Sequence, residues 1–192
     1  VVLDDPALRV TSGANSKLRP VSVAFDGTNY LIAWRNIADA IKVARVSTAG
    51  TIIDSPTGIT VGSGFYPWVG FDGANYLVVW YAWGSSGLDI FGNRVSSATG
   101  TVLDGSGFVI SEADLDQSHP SVAFDGSNYF VVWHDSRGTN IGYNDGSVYG
   151  ARVSSNGVVL DNPSIQISDL CRGQWPVTVA FDGTNFLVVW QG

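Results

Sequence analysis

The most regular hydrophobic pattern in the chain is a twelve-residue segment that occurs four times. The copies begin at four valines: Val23, Val69, Val122 and Val179. Each copy has two apolar runs, rich in β-branched and aromatic residues, on either side of an Asp-Gly pair, which is typical of a tight β-hairpin. The second run, such as Tyr76 to Trp80, is apolar on both faces, whereas a strand with one face in water would alternate. We therefore predict hairpins that are covered on both sides by other sheets.

Two further apolar segments follow each of the first three hairpins. The first predicts a third strand and contains Arg-Val-Ser, and its copies begin at Ile41, Asp89 and Val148. The second predicts a fourth strand and starts with a short run that ends in Asp, and its copies begin at Thr51, Thr101 and Val158. No segment has a helical period or a helix cap. Each unit is therefore expected to be a four-stranded antiparallel meander, the blade of a β-propeller.

The spacing of the repeats predicts the whole architecture. The turn aspartates are 46, 53 and 57 residues apart, a period typical of repeat folds. We predict an all-β chain that forms a four-bladed β-propeller of four-stranded antiparallel blades. It is expected to be one domain over residues 1–192, with repeats at approximately 20–60, 66–110, 119–167 and 176–192 plus 1–12.

The two ends of the chain predict how the ring closes. The segment at Val1 (VVLDDPALRVTS) matches the one at Val158, so it is expected to be a fourth strand, and the last residues form a second strand. Closure by N- and C-terminal strands in one blade would remove exposed sheet edges. That last blade is expected to be incomplete, because its third strand is absent. Either the chain is a piece of a longer parent protein, which we favour, or another element fills the gap.

Composition excludes several classes of function. The net charge of −7 argues against nucleic-acid binding, which requires basic patches. No apolar run reaches the length of a membrane span. The single cysteine, Cys171, has no partner for an internal disulfide and is expected to be an inert small apolar residue.

The repeat motif resembles a known family. The pattern PxVAFDGxNYLVVW followed by DIYGxRVSxxGxVLD, present here at Pro120 to Trp133 and at Asp89 to Asp104, is similar to a tandem β-propeller repeat of secreted and cell-surface bacterial proteins. The resemblance covers nearly the whole chain and implies a secreted or cell-surface location, but fold alone does not decide function. The blade number and size also resemble those of hemopexin-like propellers, which are binding modules with channel cations, although the sequence motifs differ.

Differences between the repeats predict where a ligand binds. The Asp-Gly turns, which define the bottom face, are nearly uniform, whereas the connections at the opposite end, the top face, differ in length and sequence. Divergent loops on a rigid scaffold usually hold the binding site. Aromatic side chains with charged neighbours suit the apolar faces and hydroxyl rims of sugars. The predicted ligand-binding residues are Tyr66, Trp68, Tyr81, Trp83, His134, Asp135, Arg137 and Trp175. For Trp68 and Trp175, packing at the channel mouth is an equally good interpretation.

Two recurring sets of residues have structural interpretations. The tryptophans that end the second strands are expected to be buried between blades: Trp34, Trp80, Trp133 and Trp190. The turn aspartates are weak candidates for a ring that binds a channel cation such as calcium: Asp26, Asp72, Asp125 and Asp182. Turn hydrogen bonding explains these aspartates without a metal, so no cofactor is expected.

Catalysis finds little support in the sequence. His134 and Asp135 are adjacent and do not form a triad, and no pair of carboxylates is singled out for glycoside hydrolysis. The expected function is therefore that of a non-enzymatic binding module, lectin-like, with carbohydrate as its ligand. The alternatives are a structural or adhesive module with a surface protein as partner, and a glycoside-acting enzyme. The chain is expected to associate with the remainder of a longer parent or to form a homo-oligomer.

Overall fold

The structure is a computed structural model, and it describes residues 18–137, 145–169, 171–172 and 176–191. Every regular element in these ranges is a β-strand. The Asp-Gly pairs form the expected turns, with Gly27 at a φ of 94° and Gly73 at 97°, in the left-handed region that glycine adopts without strain.

The strands form four successive antiparallel sheets. Blade 1 has the order β1-β2-β3-β4, formed by Leu18–Phe25, Asn29–Arg35, Ala40–Ser47 and Ile59–Ser63. Blade 2 has the order β5-β6-β7-β8, formed by Phe65–Phe71, Asn75–Trp83, Leu88–Ser96 and Phe108–Ser111. Blade 3 has the order β9-β10-β11-β12, formed by Gln117–Phe124, Asn128–Asp135, Asp145–Ser154 and Ile165–Gln166. Short β13 (Cys171–Arg172) also pairs with β11, and blade 4 consists of β14 (Val177–Phe181) and β15 (Phe186–Trp190).

The predicted fold class is confirmed: the chain is all-β and forms four successive blades of a β-propeller, which make an arc over the described residues. The first strands of successive blades, β1, β5, β9 and β14, contact one another in that order. Backbone to side-chain hydrogen bonds join them, since the Val69 N–H donates to Ser22 Oγ at 3.2 Å and the Val179 N–H to Ser121 Oγ at 3.3 Å. The expected closing strand over residues 1–12 lies outside the described residues.

The core consists of the apolar layers between neighbouring blades, as expected for stacked sheets. Leu31 and Val43 of blade 1 pack against Tyr76 and Val78 of blade 2, and all four side chains are fully buried. Equivalent layers join blades 2 and 3, and blades 3 and 4. A buried Leu-to-Ala truncation in such a layer costs about 2–5 kcal/mol.

Three of the four recurring tryptophans lie in these layers, and Trp34 does not. Trp80 and Trp133 are buried between blades, as predicted, and the Trp80 indole donates to the Ser63 carbonyl of the preceding blade at 2.9 Å. Trp34 is also buried, but its ring lies against Gly58 of its own blade. Gly62 lies against this indole, where a Cβ would collide with the ring. Trp190 packs on blade 3 but is only half-buried. Trp80 also packs against Gly107 at the outer edge of its own blade, and the described part of blade 4 has no such outer strands.

Candidate functional site

The bottom face is held by its own turn hydrogen bonds. Asp26 Oδ1 accepts the N–H groups of Thr28 at 2.7 Å and Asn29 at 2.6 Å. The other three turns repeat this pair of bonds, at Asp72, Asp125 and Asp182. These are Asx-turn interactions, which account for Asp at this position. The described residues contain no group of three His, Cys, Asp or Glu side chains placed to hold a metal ion.

The top face has an unusual backbone feature at the start of the first strands. Tyr66 and His119 hold the same position in successive repeats, each directly before a proline, and their φ angles are 52° and 54°. Residues before proline are restricted to extended conformations, and a bulky residue at positive φ is rare. Strain of this kind collects at functional sites, where the surrounding structure maintains it. The corresponding residues of the other repeats, Arg19 and Trp175, have no described side chains.

Three aromatic rings pack together at this position. The Tyr66 and His119 ring centroids are 4.5 Å apart in an edge-on arrangement, and Tyr81 stacks on Tyr66 at 5.6 Å. Tyr66 is 38% exposed, whereas Tyr81 and His119 are buried beneath it. Tyr66 therefore presents an apolar surface to solvent, and the other two rings support it. We refer to Tyr66, Tyr81 and His119 as the aromatic cluster.

Burial favours the uncharged forms of two members of the aromatic cluster, Tyr81 and His119. Burial raises the pKa of Tyr81 to about 12, and the neighbouring Tyr66 adds to the effect. Burial also lowers the pKa of His119 to about 4, with a further contribution from His134. The His119 imidazole is therefore uncharged at neutral pH, and its Nδ1 lies 3.0 Å from Ser118 Oγ.

Asp89, at the start of β7, lies near two acidic residues of the loop that connects blades 2 and 3, Glu112 and Asp116. Asp89 is 3% exposed, and its Oδ1 has no hydrogen-bond partner among the described residues. Burial raises its pKa, and the nearby carboxylates of Glu112 and Asp116 raise it further. The turn formed by residues 84–87 adjoins this group, because a Cβ on Gly84 would collide with the Asp89 carboxyl group and one on Gly87 would lie 2.9 Å from Asp116 Oδ1.

Hydrogen bonds fix the loop that contains Asp116. Asp116 Oδ1 accepts the Leu88 N–H at 2.9 Å, and its backbone carbonyl accepts the Ser136 N–H at 2.8 Å. The fully buried Gln117 holds the rest of the loop, because its amide nitrogen donates to the Ala113 and Leu115 carbonyls at 3.1 and 2.9 Å. The loop thereby connects the top ends of blades 2 and 3.

The predicted residues on β10 are buried rather than open to a ligand. Asp135 is fully buried, where it accepts the Trp133 indole N–H at 2.9 Å and pairs with Arg137 at 2.6 Å. His134 is 2% exposed, and its Nε2 has no hydrogen-bond partner among the described residues. Burial lowers the pKa of His134, although Asp135 and Asp116 act in the opposite direction. The Arg137 guanidinium lies over the Tyr149 ring at 4.0 Å and is half-buried.

Of the predicted tryptophans, Trp68 and Trp83 lie on different surfaces. Trp68 is 37% exposed on β5, two residues beyond Tyr66. Trp83 is 67% exposed and lines a groove of about 440 Å³ with Trp80, Phe91 and Thr60 at the junction of blades 1 and 2. Trp175 lies outside the described residues. The structure thus brings Tyr66 together with Tyr81, and it places Trp83 in a separate groove.

Sequence reasoning did not select Asp89 and His119, two residues of the top face whose pKa values are shifted by burial. Asp89 was read only as the start of a third strand, because its burial and its acidic neighbours arise from other loops. The sequence does contain a signal for His119. Each repeat has a proline near the start of its first strand, and the residue before that proline differs in every repeat although the strands hardly change: Arg19, Tyr66, His119 and Trp175.

The comparisons with known proteins agree on the fold. No protein-family model and no protein of curated function matches the chain. A solved structure described as a glycoside hydrolase aligns with a TM-score of 0.56 at 16% identity, over 86% of this chain and 41% of the other. An exo-1,5-alpha-L-arabinanase from a bovine ruminal metagenomic library aligns with a TM-score of 0.50 at 13% identity, over 88% and 66%. A xylan beta-1,4-xylosidase from Bacillus halodurans C-125 aligns with a TM-score of 0.52 at 12% identity, over 97% and 40%.

These similarities support the fold and correct one expectation. The chain spans about two fifths of the length of two of these structures and two thirds of the third, and identities this low establish the fold alone. The expectation that the chain is not an enzyme is contradicted, because these three structures with the same fold are named as a glycoside hydrolase, an arabinanase and a xylosidase. The third of the functions weighed from the sequence, a glycoside-acting enzyme, agrees better with them. No helix in the described part of the chain is long and apolar enough to cross a membrane.

Proposed function

We propose that this protein hydrolyses glycosidic bonds in a carbohydrate bound at the top face of the propeller. The observation that carries the proposal is Asp89, a buried carboxyl group whose pKa is raised by burial and by two neighbouring carboxylates, Glu112 and Asp116. Glycoside hydrolysis uses one protonated carboxyl group and one ionised carboxylate, kept apart in protonation state by their environments.

Two of the three acidic residues, Asp89 and Asp116, take different roles in this proposal. Asp89 donates its proton to the leaving oxygen as the glycosidic bond breaks. Asp116, half-buried and fixed by the Leu88 N–H, acts on the other side of the bond, either by attacking the anomeric carbon or by taking a proton from the attacking water. Asp89 is covered in the present conformation, so the Gly84–Gly87 turn moves aside when the substrate binds, as apo active sites often require.

The sugar-binding surface is the exposed face of Tyr66, with Trp68 beside it on the same strand. An aromatic face suits the C–H face of a pyranose or furanose ring, and such contacts bury apolar area without charge. The names of the three structures with this fold, which include an arabinanase and a xylosidase, support a glycoside as substrate. Membership of a tandem-repeat family and a location outside the cell are further proposals that agree with this substrate.

Hydrolysis of a panel containing arabinan, xylan and their aryl glycosides tests the proposal. Asp89→Asn and Asp116→Asn should each lower the rate by at least about 10²-fold, the usual contribution of an acid or base group. Asp125→Asn is the matched control, since Asn keeps the turn on the opposite face and should leave the rate unchanged. Loss of activity in the control as well, or no hydrolysis of any substrate by the unaltered protein, would overturn the assignment.

Binding is measured separately from hydrolysis. Tyr66→Ala should weaken the binding of an oligosaccharide by about tenfold or more, as loss of an aromatic contact of about 1.5 kcal/mol implies. Leu103→Ala is the control, because Leu103 is equally exposed, at 41%, but lies at the bottom of blade 2. Oligosaccharide binding that depends on Tyr66 without any hydrolysis would retain the site and reject the reaction.

A further inference from the structure

The two ends of the described arc of blades expose part of the apolar surface whose equivalents are buried inside it, although Trp34 on the open side of blade 1 is itself buried. The valine that begins each repeat faces the preceding blade, and it is 5% exposed in blade 2, 5% in blade 3 and 7% in blade 4. Its counterpart in blade 1, Val23, is 59% exposed, with Val21 at 61% and Phe25 at 46% beside it. We name Val21, Val23, Phe25 and Tyr30 the leading face.

The opposite end shows the complementary pattern. Leu77 and Val79 of blade 2 face blade 3 and are fully buried. Their counterparts in blade 4 are Leu187, 65% exposed, and Val189, 49% exposed. We name Leu187, Val189 and the Asp182 turn the trailing face. In the interior of the chain, the residues equivalent to a trailing face always pack against the residues equivalent to a leading face.

A specific hydrogen bond accompanies each complete interface between the first three blades. The Tyr76 hydroxyl donates to the Asn29 carbonyl in the turn of blade 1 at 3.2 Å, and the Tyr129 hydroxyl donates to the Asn75 carbonyl in the turn of blade 2 at 2.8 Å. Tyr30 is the equivalent residue of blade 1 and is 40% exposed. Asn185 is the equivalent turn residue of blade 4 and is also exposed. The two ends therefore offer the missing halves of one such bond.

We propose that the trailing face of one copy binds the leading face of a second copy of this chain, head to tail. The interface would repeat the contacts that already join blades 1 and 2: Leu187 and Val189 against Val23 and its neighbours, with the Tyr30 hydroxyl on the Asn185 carbonyl. A second copy fits because each chain presents both surfaces, at opposite ends, and the described residues of the chain leave both exposed. Head-to-tail contacts of this type form a closed ring when the rotation permits and an open filament otherwise.

Paired variants test the proposal through its asymmetry. Val23→Asp removes the leading face only, and Leu187→Asp removes the trailing face only. In light scattering after size-exclusion chromatography, the unaltered protein should form a dimer or larger assembly at about 0.1 mM, a concentration that detects even weak contacts. Each variant alone should be monomeric, and an equimolar mixture of the two should recover a dimer, because one intact face of each kind remains. Leu103→Asp is the control and should assemble normally.

Each result decides for or against the proposal. Circular dichroism of the single variants confirms that they are folded, since both positions are already exposed. Monomeric unaltered protein, or assembly that survives both substitutions, would overturn the proposal. In a Cys171→Ser background, a double Val23→Cys and Leu187→Cys chain that oxidises to a monomer with an internal disulfide would also overturn it. That outcome would mean that the chain closes on itself. None of these measurements depends on carbohydrate, so they are independent of the proposed activity.

Discussion

Blade 2 and blade 1 have nearly the same hairpin sequence but different environments. Tyr76 is fully buried between two sheets, whereas Tyr30, in the same place of the repeat, is 40% exposed. The difference arises from the neighbours: blade 2 lies between two blades, and blade 1 has a described neighbour on one side only. In a repeat fold, stability is approximately a sum of repeat and nearest-neighbour terms, so identical residues contribute unequally according to their place in the row.

The arginines of the third strands also differ according to whether their blade has a described neighbour on the following side. Arg45 pairs with Asp54 and also donates to the Ser97 and Ala98 carbonyls of blade 2 at 2.9 and 2.8 Å. Arg94 pairs with Asp104 and donates to the Ser155 carbonyl of blade 3 at 2.9 Å. Arg152 pairs with Asp161 in the same way, but its side chain is 50% exposed. Arg45 and Arg94 each bind a carboxylate of their own blade and a carbonyl of the next blade. Among the described residues, Arg152 binds only the carboxylate of its own blade.

The largest expected effect contrasts two tryptophans. Trp133→Ala should lower the free energy of unfolding by about 3–5 kcal/mol, because the ring is fully buried and its loss leaves a cavity. Trp190→Ala should cost clearly less, since Trp190 is half-buried and lacks outer strands against which to pack. Urea unfolding of both variants measures the difference. Equal losses would show that blade 4 is covered as completely as blade 3.

The second prediction compares the contributions of two Arg–Asp pairs to stability. Arg94→Ala should cost about 1.5–3 kcal/mol at pH 7, the range for hydrogen bonds to charged groups. Arg152→Ala should cost less, because Arg152 is more exposed and joins no further blade. Chemical unfolding of the two variants under one set of conditions gives the comparison, and a larger loss for Arg152→Ala would contradict it.

Acid should remove the contribution of the Arg94 pair. Burial by itself raises the pKa of Asp104, but hydrogen bonds from Arg94 and the Arg94 charge outweigh it and hold the pKa below its usual range. A carboxyl group with a lowered folded-state pKa stabilises the protein above its unfolded pKa, near 4, and this contribution is lost as the pH falls through the folded value. The stability difference between the unaltered protein and Asp104→Asn should therefore shrink below about pH 4. A difference that is constant from pH 7 to pH 3 would contradict the prediction.

The smallest expected effect concerns the hydroxyl groups between blades. Tyr129→Phe removes the bond to the Asn75 carbonyl and should cost about 0.5–1.5 kcal/mol. Blade 4 naturally has Phe186 at this position. Phe186→Tyr supplies a hydroxyl toward the turn of blade 3 and should be neutral or stabilising. Thermal unfolding of the two variants compares them, and stabilisation by Tyr129→Phe would exclude the bond as a favourable contact.

Sequence reasoning found most of the scaffold and little of the site. The strands, the Asp-Gly turns and the burial of three of the four recurring tryptophans follow from local patterns, which each repeat contains within itself. The Arg–Asp pairs were missed, although Arg45 and Asp54, and Arg94 and Asp104, recur in the sequence at nearly constant spacing. Tyr81, His134 and Asp135 were predicted to contact a ligand but are buried. Whether a residue at the end of a strand faces a loop or solvent depends on the neighbouring repeat.

The sequence by itself determined the class of fold, because apolar β-branched runs, turn residues and the spacing of the repeats can be read directly along the chain. It also predicted that the top face would differ from the bottom, since loop divergence can be read directly. Only the tertiary structure decided that Tyr66 and His119 hold strained backbone around Tyr81, and that Asp89 lies beneath a turn near Glu112 and Asp116. Those groups come from different blades, and their burial and charge depend on distances that no single repeat specifies. The same reason explains why Val23 is exposed while Val69 and Val122 are buried.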